Sequence, residues 1–314
     1  MTGKNATETL PADAEGIARA VAILESDGLV AVPTETVYGL AARADRPEAV
    51  AKIYAAKGRP SFNPLIVHVA DRAAAGRLVE FDDRAQRLAD AFWPGPLTLV
   101  LPLRPDSGLA GAVTAGLPTL AVRVPDHPVM LELLRRLGSP LAAPSANASE
   151  TVSPTSAAHV RKTLEGRIDA VIDAGETRRG VESTIVALRE GGSWSLLREG
   201  PISAAEIAAL FGREAVAASG SVEAPGQMAR HYAPGKPMRL DAIRAEEDEF
   251  LLGFGSIAGD WSLSRAGDLA EAAARLYAGL HVAAEADQPR IAVAPIPDDG
   301  IGRAINDRLR RAAA

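Results

Sequence analysis

At 314 residues with 47% hydrophobic side chains, the chain exceeds the size at which one core usually stops growing, so a large and a small unit are expected. With no cysteine, disulfides, thiolate nucleophiles, zinc–thiolate sites and iron–sulfur clusters are excluded. The formal charge of −6 divides as 22 Lys+Arg against 24 Asp+Glu in residues 1–200 and 12 against 16 beyond, which excludes a global basic footprint for RNA and leaves room for a local basic cleft.

Aromatic residues are only 4% of the chain, which argues for buried parallel strands under helices rather than a base-stacking platform. No apolar run approaches the roughly eighteen residues of a membrane span, and the polar segment 1–11 lacks a basic-then-apolar pattern, so a soluble, cytoplasmic protein without membrane contact is expected.

In chain order, apolar runs at 28–32, 64–69, 97–103, 119–124, 170–175, 183–188 and 195–199 have the length and β-branching of strands. Between them, 12–26, 47–56, 82–92, 128–137 and 155–164 have helical spacing, several opened by Pro, Asp or Ser. These segments predict one α/β domain over 1–212. Residues 213–237, rich in Ala, Gly, Ser and Pro, read as a linker. Beyond it, strand-like runs at 238–240, 250–255 and 290–296 and helical segments at 268–286 and from 302 predict a small open parallel sheet over 238–314.

The chain has no GxxxxGK[ST], no GxGxxG after a strand, no HExxH and no GxSxG. Its polar clusters instead sit at strand ends, where open α/β sheets place ligands. In VPTETVYGL (32–40), Thr34, Glu35, Thr36 and Tyr38 read either as ligands or as the start of a helix. In KGRPSFNPLIVHV (57–69), Lys57 and Arg59 repel each other unless an anion lies between them, which favours phosphate. His68, inside the strand that follows, is either a satisfied core imidazole or a ligand. FWPGPLTLVL (92–101) reads as a rigid turn into a strand, without chemistry. Arg123 interrupts an apolar strand and requires a carboxylate, from the protein or from a substrate. PLAAPSAN (140–147) brings Ser145 and Asn147 onto a turn with small neighbours. Ser153 before Pro154 reads as a helix start whose N–H groups suit a phosphate, and Ser183, Thr184 and Arg198 complete the set.

In this order, PTETVYGL, KGRP, PSAN, SPTSA, GVESTIV and LREGPIS closely resemble the YrdC-like threonylcarbamoyl-AMP synthase family over about residues 13–205. APGQMARHYAP (224–234) and GIGRAINDRLRRA (300–312) resemble its longer, two-domain form. The resemblance implies a YrdC-like twisted open α/β sheet followed by a smaller Rossmann-like α/β domain. It implies a nucleotidyltransferase that condenses L-threonine, bicarbonate or carbon dioxide, and ATP into threonylcarbamoyl-adenylate and pyrophosphate, for tRNA threonylcarbamoyladenosine.

On the same basis Lys57, Arg59, Ser145 and Asn147 fall to catalysis at the phosphates. Asn63, Thr119, Ser153, Arg198 and Tyr232 fall to ATP. Thr36, His68, Arg123, Ala143 (through its backbone) and Ser183 fall to threonine. Mg²⁺ is expected to come with ATP rather than on a dedicated protein site, and the linker around Tyr232 is expected to act as a lid. Weak contacts with tRNA or with tRNA-modification proteins are further expectations. Glu199 and Gln227 stand where the family usually has proline and methionine, which bears on loop shape.

Two other readings compete. A non-catalytic double-stranded RNA or tRNA module is disfavoured by the acidic charge and few aromatics. Carbamoyl transfer of the hydrogenase-maturation type belongs to larger proteins with zinc-finger segments, which a chain without cysteine cannot form.

Overall fold

The computed structural model describes residues 6–218, 220, 222–227 and 231–314; positions 228–230 of the linker motif lie outside them. The first unit runs β1 (Glu8–Pro11), α1 (Ala14–Glu25), β2 (Val30–Val32), β3 (Gly39–Arg43), α2 (Pro47–Lys57), β4 (Ile66–His68), α3 (Arg72–Leu78) and α4 (Asp83–Phe92). It continues through β5 (Leu97–Pro102), β6 (Thr119–Arg123), α5 (Pro128–Leu137), β7 (Leu141–Ala142), α6 (Ala157–Leu164), β8 (Ala170–Asp173), β9 (Thr184–Leu188), β10 (Trp194–Arg198) and α7 (Ala204–Phe211). The strands form one mixed sheet in the order β1-β8-β2-β3-β7-β4-β6-β5-β9-β10.

Helix ends follow local chemistry. Asp13, Asp82 and Ser203 accept first-turn backbone N–H groups of α1, α4 and α7, and Gly138 ends α5 in the left-handed region. Thr34 and Thr36 open no helix. The Thr34 hydroxyl instead donates to the Val37 carbonyl at 2.7 Å and closes a tight loop between β2 and β3. Nor does Ser153 start α6, which begins at Ala157 with Ser156 as its cap.

Strand alternation sorts the sheet into two faces. Val67, Leu97, Leu99, Leu101, Leu120, Val122 and Val186 point into the main core with residues of α2, α3, α4 and α7. On the opposite face, Leu133 and Leu134 of α5 and Ile17 and Leu24 of α1 cover Val30, Val32, Ala41 and Ile172. The neighbouring half of that face carries Ile66, Val100, Ala121, Ile185 and Leu197 and is met by Ala224 of the linker. The cleft lies there.

The second unit consists of β11 (Met238–Arg239), β12 (Glu249–Phe254), β13 (Trp261–Ser264), α8 (Leu269–Glu285), β14 (Arg290–Val293) and α9 (Gly302–Ala312). Its sheet order is β11-β14-β12-β13, and every pairing is parallel. Its core is shared: Val37, Val152, Val181 and Tyr232 pack into the same apolar cluster as Leu252, Leu276, Tyr277 and Ile305. Among the described residues no helix is long and apolar enough to cross a membrane.

Candidate active site

One cavity is lined by Thr34, Thr36, Val37, Gly39, Arg59, Ile66, His68, Arg123, Ala143, Pro144, Ser145, Glu182, Ser183, Arg198, Pro225, Gly226, His231 and Tyr232. Its floor is set by register. Ile66 and His68 share one face of β4, and His68 pairs with Arg123 across to β6. Arg198 reaches the same face through an irregularity in β10, where Leu196 pairs with Val186 but Arg198 pairs with Ile185. Regular alternation would have sent Arg198 to the side of Leu196; the extra residue turns it to the cleft.

Arg123 is almost fully buried. Its Nε donates to the Gly95 carbonyl at 3.1 Å and its Nη1 to Thr36 Oγ1 at 3.0 Å. Nη2 lies 2.6 Å from Glu35 Oε1, an ion-pair contact whose angle is not that of a hydrogen bond. The carboxylate that Arg123 requires is therefore supplied by the protein, while its Nη2 donors remain without a hydrogen-bond acceptor. The 92–101 segment, read as purely structural, contributes the Gly95 carbonyl to this clamp. Beside Arg123, burial and then the guanidinium charge push the His68 imidazole well below its usual range, so it is neutral. Its Nδ1 finds no hydrogen-bond partner among the described residues.

Arg198 donates from Nε to the Ser183 carbonyl and from Nη2 to Ser183 Oγ, each at 3.0 Å, while Ser183 Oγ lies 2.7 Å from Thr98 Oγ1. Arg59 is held by its own loop, donating to the Asn63 carbonyl, Asn63 Oδ1 and the Pro64 carbonyl. Burial lowers Arg59 to about 10, with the Tyr54 hydroxyl opposing it and Arg198 adding to it. Burial likewise lowers Arg198 to about 10, opposed by Tyr232 and Glu182. Both remain charged at neutral pH, so guanidinium groups from three separate segments converge on the cavity.

Of the residues expected at the site, the structure thus brings Thr36, Arg59, His68, Arg123, Ala143, Ser145, Ser183, Arg198 and Tyr232 together. Lys57, Asn63, Thr119, Asn147 and Ser153 are not in the wall. Lys57 points inward, donating from Nζ to the carbonyls of Ser145 at 2.6 Å and Asn147 at 2.5 Å. Burial, with Arg59 adding to it, pushes its ammonium well below the usual lysine range. Asn147 is occupied within its own loop, donating to the Thr151 carbonyl at 2.8 Å. Asn63 is the anchor of Arg59, and Thr119 opens β6 on the face of Ala121 and Arg123. Ser153 Oγ donates to Glu182 Oε1 at 2.6 Å. The backbone N–H of Ala143 is taken by the Ile66 carbonyl at 3.0 Å.

Sequence reasoning missed Glu182 and His231, and it named Glu35 without its partner Arg123. Glu182 and His231 sit inside motifs that were singled out for their neighbours, and only the tertiary contacts distinguish them. Among the described residues no three His, Asp or Glu side chains gather to hold a metal ion.

Fold and cleft together define a two-domain α/β enzyme. Residues 22–200 match the Sua5/YciO/YrdC family model, described as "Telomere recombination", and residues 202–314 match "Threonylcarbamoyl-AMP synthase, C-terminal domain". The chain is 41% identical to a threonylcarbamoyl-AMP synthase of Bacillus subtilis, over 98% of this chain and 95% of that one. It is 38% identical to one of Pyrococcus abyssi, over 94% and 93%. The crystal structure of P. abyssi Sua5 complexed with L-threonine superposes with a TM-score of 0.88 at 35% identity, covering 98% of this chain and 97% of that one. The chain belongs to the threonylcarbamoyl-AMP synthase family, in its two-domain form.

Proposed function

We propose that the chain condenses L-threonine, bicarbonate or carbon dioxide, and ATP into threonylcarbamoyl-AMP with release of pyrophosphate, as a nucleotidyltransferase supplying tRNA threonylcarbamoyladenosine. The observation that carries this reading is one cavity with two kinds of anion receptor. Arg123 is oriented by Thr36 and Gly95 and suits a carboxylate, and Arg59 and Arg198 suit phosphates. The threonine-bound Pyrococcus relative supports threonine as a substrate.

In this reading the threonine carboxylate replaces Glu35 as the partner of Arg123 Nη2. Thr36, Ser183, His68 and the Ala143 carbonyl surround its amine and hydroxyl. The amine nitrogen attacks the carbon of carbon dioxide and loses a proton, giving a carbamate. A carbamate oxygen then attacks the α-phosphorus of ATP, and pyrophosphate leaves with the electron pair of the broken P–O bond. Positioning and charge neutralisation suffice, and no covalent protein nucleophile takes part. Lys57 and Asn147 act from behind, shaping the loop that presents Ser145. Asn63 does the same for Arg59, and Ser153, behind the cavity wall, does so for Glu182, while Thr119 lies outside the wall. Mg²⁺ would come with the triphosphate of ATP.

The cavity volume of ≈ 50 Å³ holds roughly four waters at about 10–15 Å³ each. A nucleotide needs more, and in this reading the linker carrying Pro225, Gly226, His231 and Tyr232 moves to admit ATP. Contacts with tRNA or its modification proteins would follow product formation, in the cytoplasm. The deciding experiment is pyrophosphate release from ATP, expected only when threonine and bicarbonate are both present and weaker with serine; release indifferent to either would sink the proposal.

A further inference from the structure

We infer that the second domain builds part of the catalytic cleft: Arg308 of α9 and Tyr277 of α8 are positioning residues that act through Glu182, fixing loop 180–183 so that Ser183 presents Arg198 to the phosphates of ATP. The inference rests on the reaction proposed above.

Glu182 lines the cavity, yet among the described residues its carboxylate accepts hydrogen bonds only from side chains outside the cavity wall. Ser153 Oγ donates to Oε1 at 2.6 Å, Tyr277 Oη to Oε2 at 2.8 Å, and Arg308 Nε to Oε2 at 2.9 Å. Arg308 is fully buried and donates from Nη2 to the Glu199 carbonyl at 2.8 Å, next to Arg198 in sequence. Both sides of the Arg198 pedestal are thus tied to α9. Ser183, the neighbour of Glu182, holds Arg198 through its carbonyl and its hydroxyl. Any movement of Glu182 is transmitted through one peptide unit to the only acceptors that the described residues offer Arg198.

Packing supports the same direction of action. At Gly180, φ is +69° and a Cβ would stand 2.3 Å from the Ala273 carbonyl oxygen of α8, so loop and helix touch backbone to backbone. Val181 is buried in the apolar cluster of the second domain. Simple adhesion between domains needs no charge, and a carboxylate left in that position without its cation is strongly unfavourable. Burial pushes the Glu182 carboxyl up, but Arg308, Arg198 and the Ser153 hydroxyl outweigh it and hold it down at about 2. The groups facing it are Ser153, Arg198, His231, Tyr232, Tyr277 and Arg308.

The test uses the full-length protein with Arg308→Met, Arg308→Lys, Tyr277→Phe and Glu182→Gln, reading pyrophosphate release against ATP and threonine separately and ATP binding by calorimetry. Arg308→Met is expected to raise the KM for ATP at least about tenfold while the KM for threonine stays near wild type, with partial recovery in Arg308→Lys. It should also shift the acid limb of the rate to higher pH, because Glu182 loses one of its two guanidinium partners, and this shift should vanish when Glu182→Gln is added. Tyr277→Phe keeps the ring and loses only the hydroxyl, so it decides the matter if Arg308→Met does not fold. Equal rises in both KM values, or an unchanged ATP affinity in Tyr277→Phe and Glu182→Gln, would overturn the inference. A wild-type protein that binds ATP but releases no pyrophosphate would overturn the proposed reaction instead, and the calorimetry would still read the positioning.

Discussion

Arg123 and Lys57 are both buried cations, and their partners give them different work. Arg123 spends Nε and Nη1 on protein acceptors and sets Nη2 against Glu35, and the proposed reaction gives it the threonine carboxylate. Arg123→Lys keeps a charge but loses the planar fork, so the KM for threonine should rise by roughly 10–100-fold; a threonine titration at unchanged KM would remove Arg123 from that role. Lys57 has its ammonium on two carbonyls of the Ser145–Asn147 turn. Lys57→Met leaves both carbonyls buried and unsatisfied, a loss of about 1–3 kcal/mol for each. Thermal stability and pyrophosphate release should fall together. Full stability with lost turnover would return Lys57 to the phosphates.

Elements meet at α6 and α8, where His159 and His281 stack with ring centroids 3.9 Å apart. Burial lowers His159 to about 4, with Lys162 adding and Glu285 opposing, and lowers His281 to about 3, with His159 and Lys162 adding. Both rings are neutral in the folded protein and take protons once unfolded, so the unfolded state binds more protons below pH 6.5 and stability falls as pH drops from there. The melting temperature should decline between about pH 6.5 and 4, and His281→Gln should flatten that decline. A profile identical to wild type would mean the stack does not carry the effect. At the α8 contact with loop 180–183, Gly180→Ala combines a backbone clash with positive φ. It should destabilise the protein by about 2–4 kcal/mol in urea unfolding.

At the scale of the whole molecule, the second domain is joined to the first by a common apolar cluster that includes Val37, Val152 and Val181 from loops around the cleft. Ending the chain at residue 212 exposes these side chains and strips Glu182 of Arg308 and Tyr277. Such a fragment should melt at lower temperature and bind ATP more weakly than the full chain. An equal ATP affinity would show that the first unit holds the nucleotide unaided.

Much of this was legible beforehand, because a period of two and β-branched runs mark strands wherever one face is buried. β4, β5, β6, β8 and β9 all lie where their apolar runs stand. β1, β3 and β13 do not announce themselves: ETLP is largely exposed, GLAAR is rich in small residues, and WSLS is short, so pairing rather than composition makes them strands. The residue types of the cleft were legible in the same way, as polar groups ending apolar strands. Which of them face one cavity was not, since an irregularity in β10 decides the side taken by Arg198. Nor was the partnership of Glu182 with Arg308, 126 residues apart. Local pattern determines elements and the chemistry they carry, whereas the direction of a side chain and the partner of a buried charge depend on contacts between distant segments, and only the folded chain supplies those.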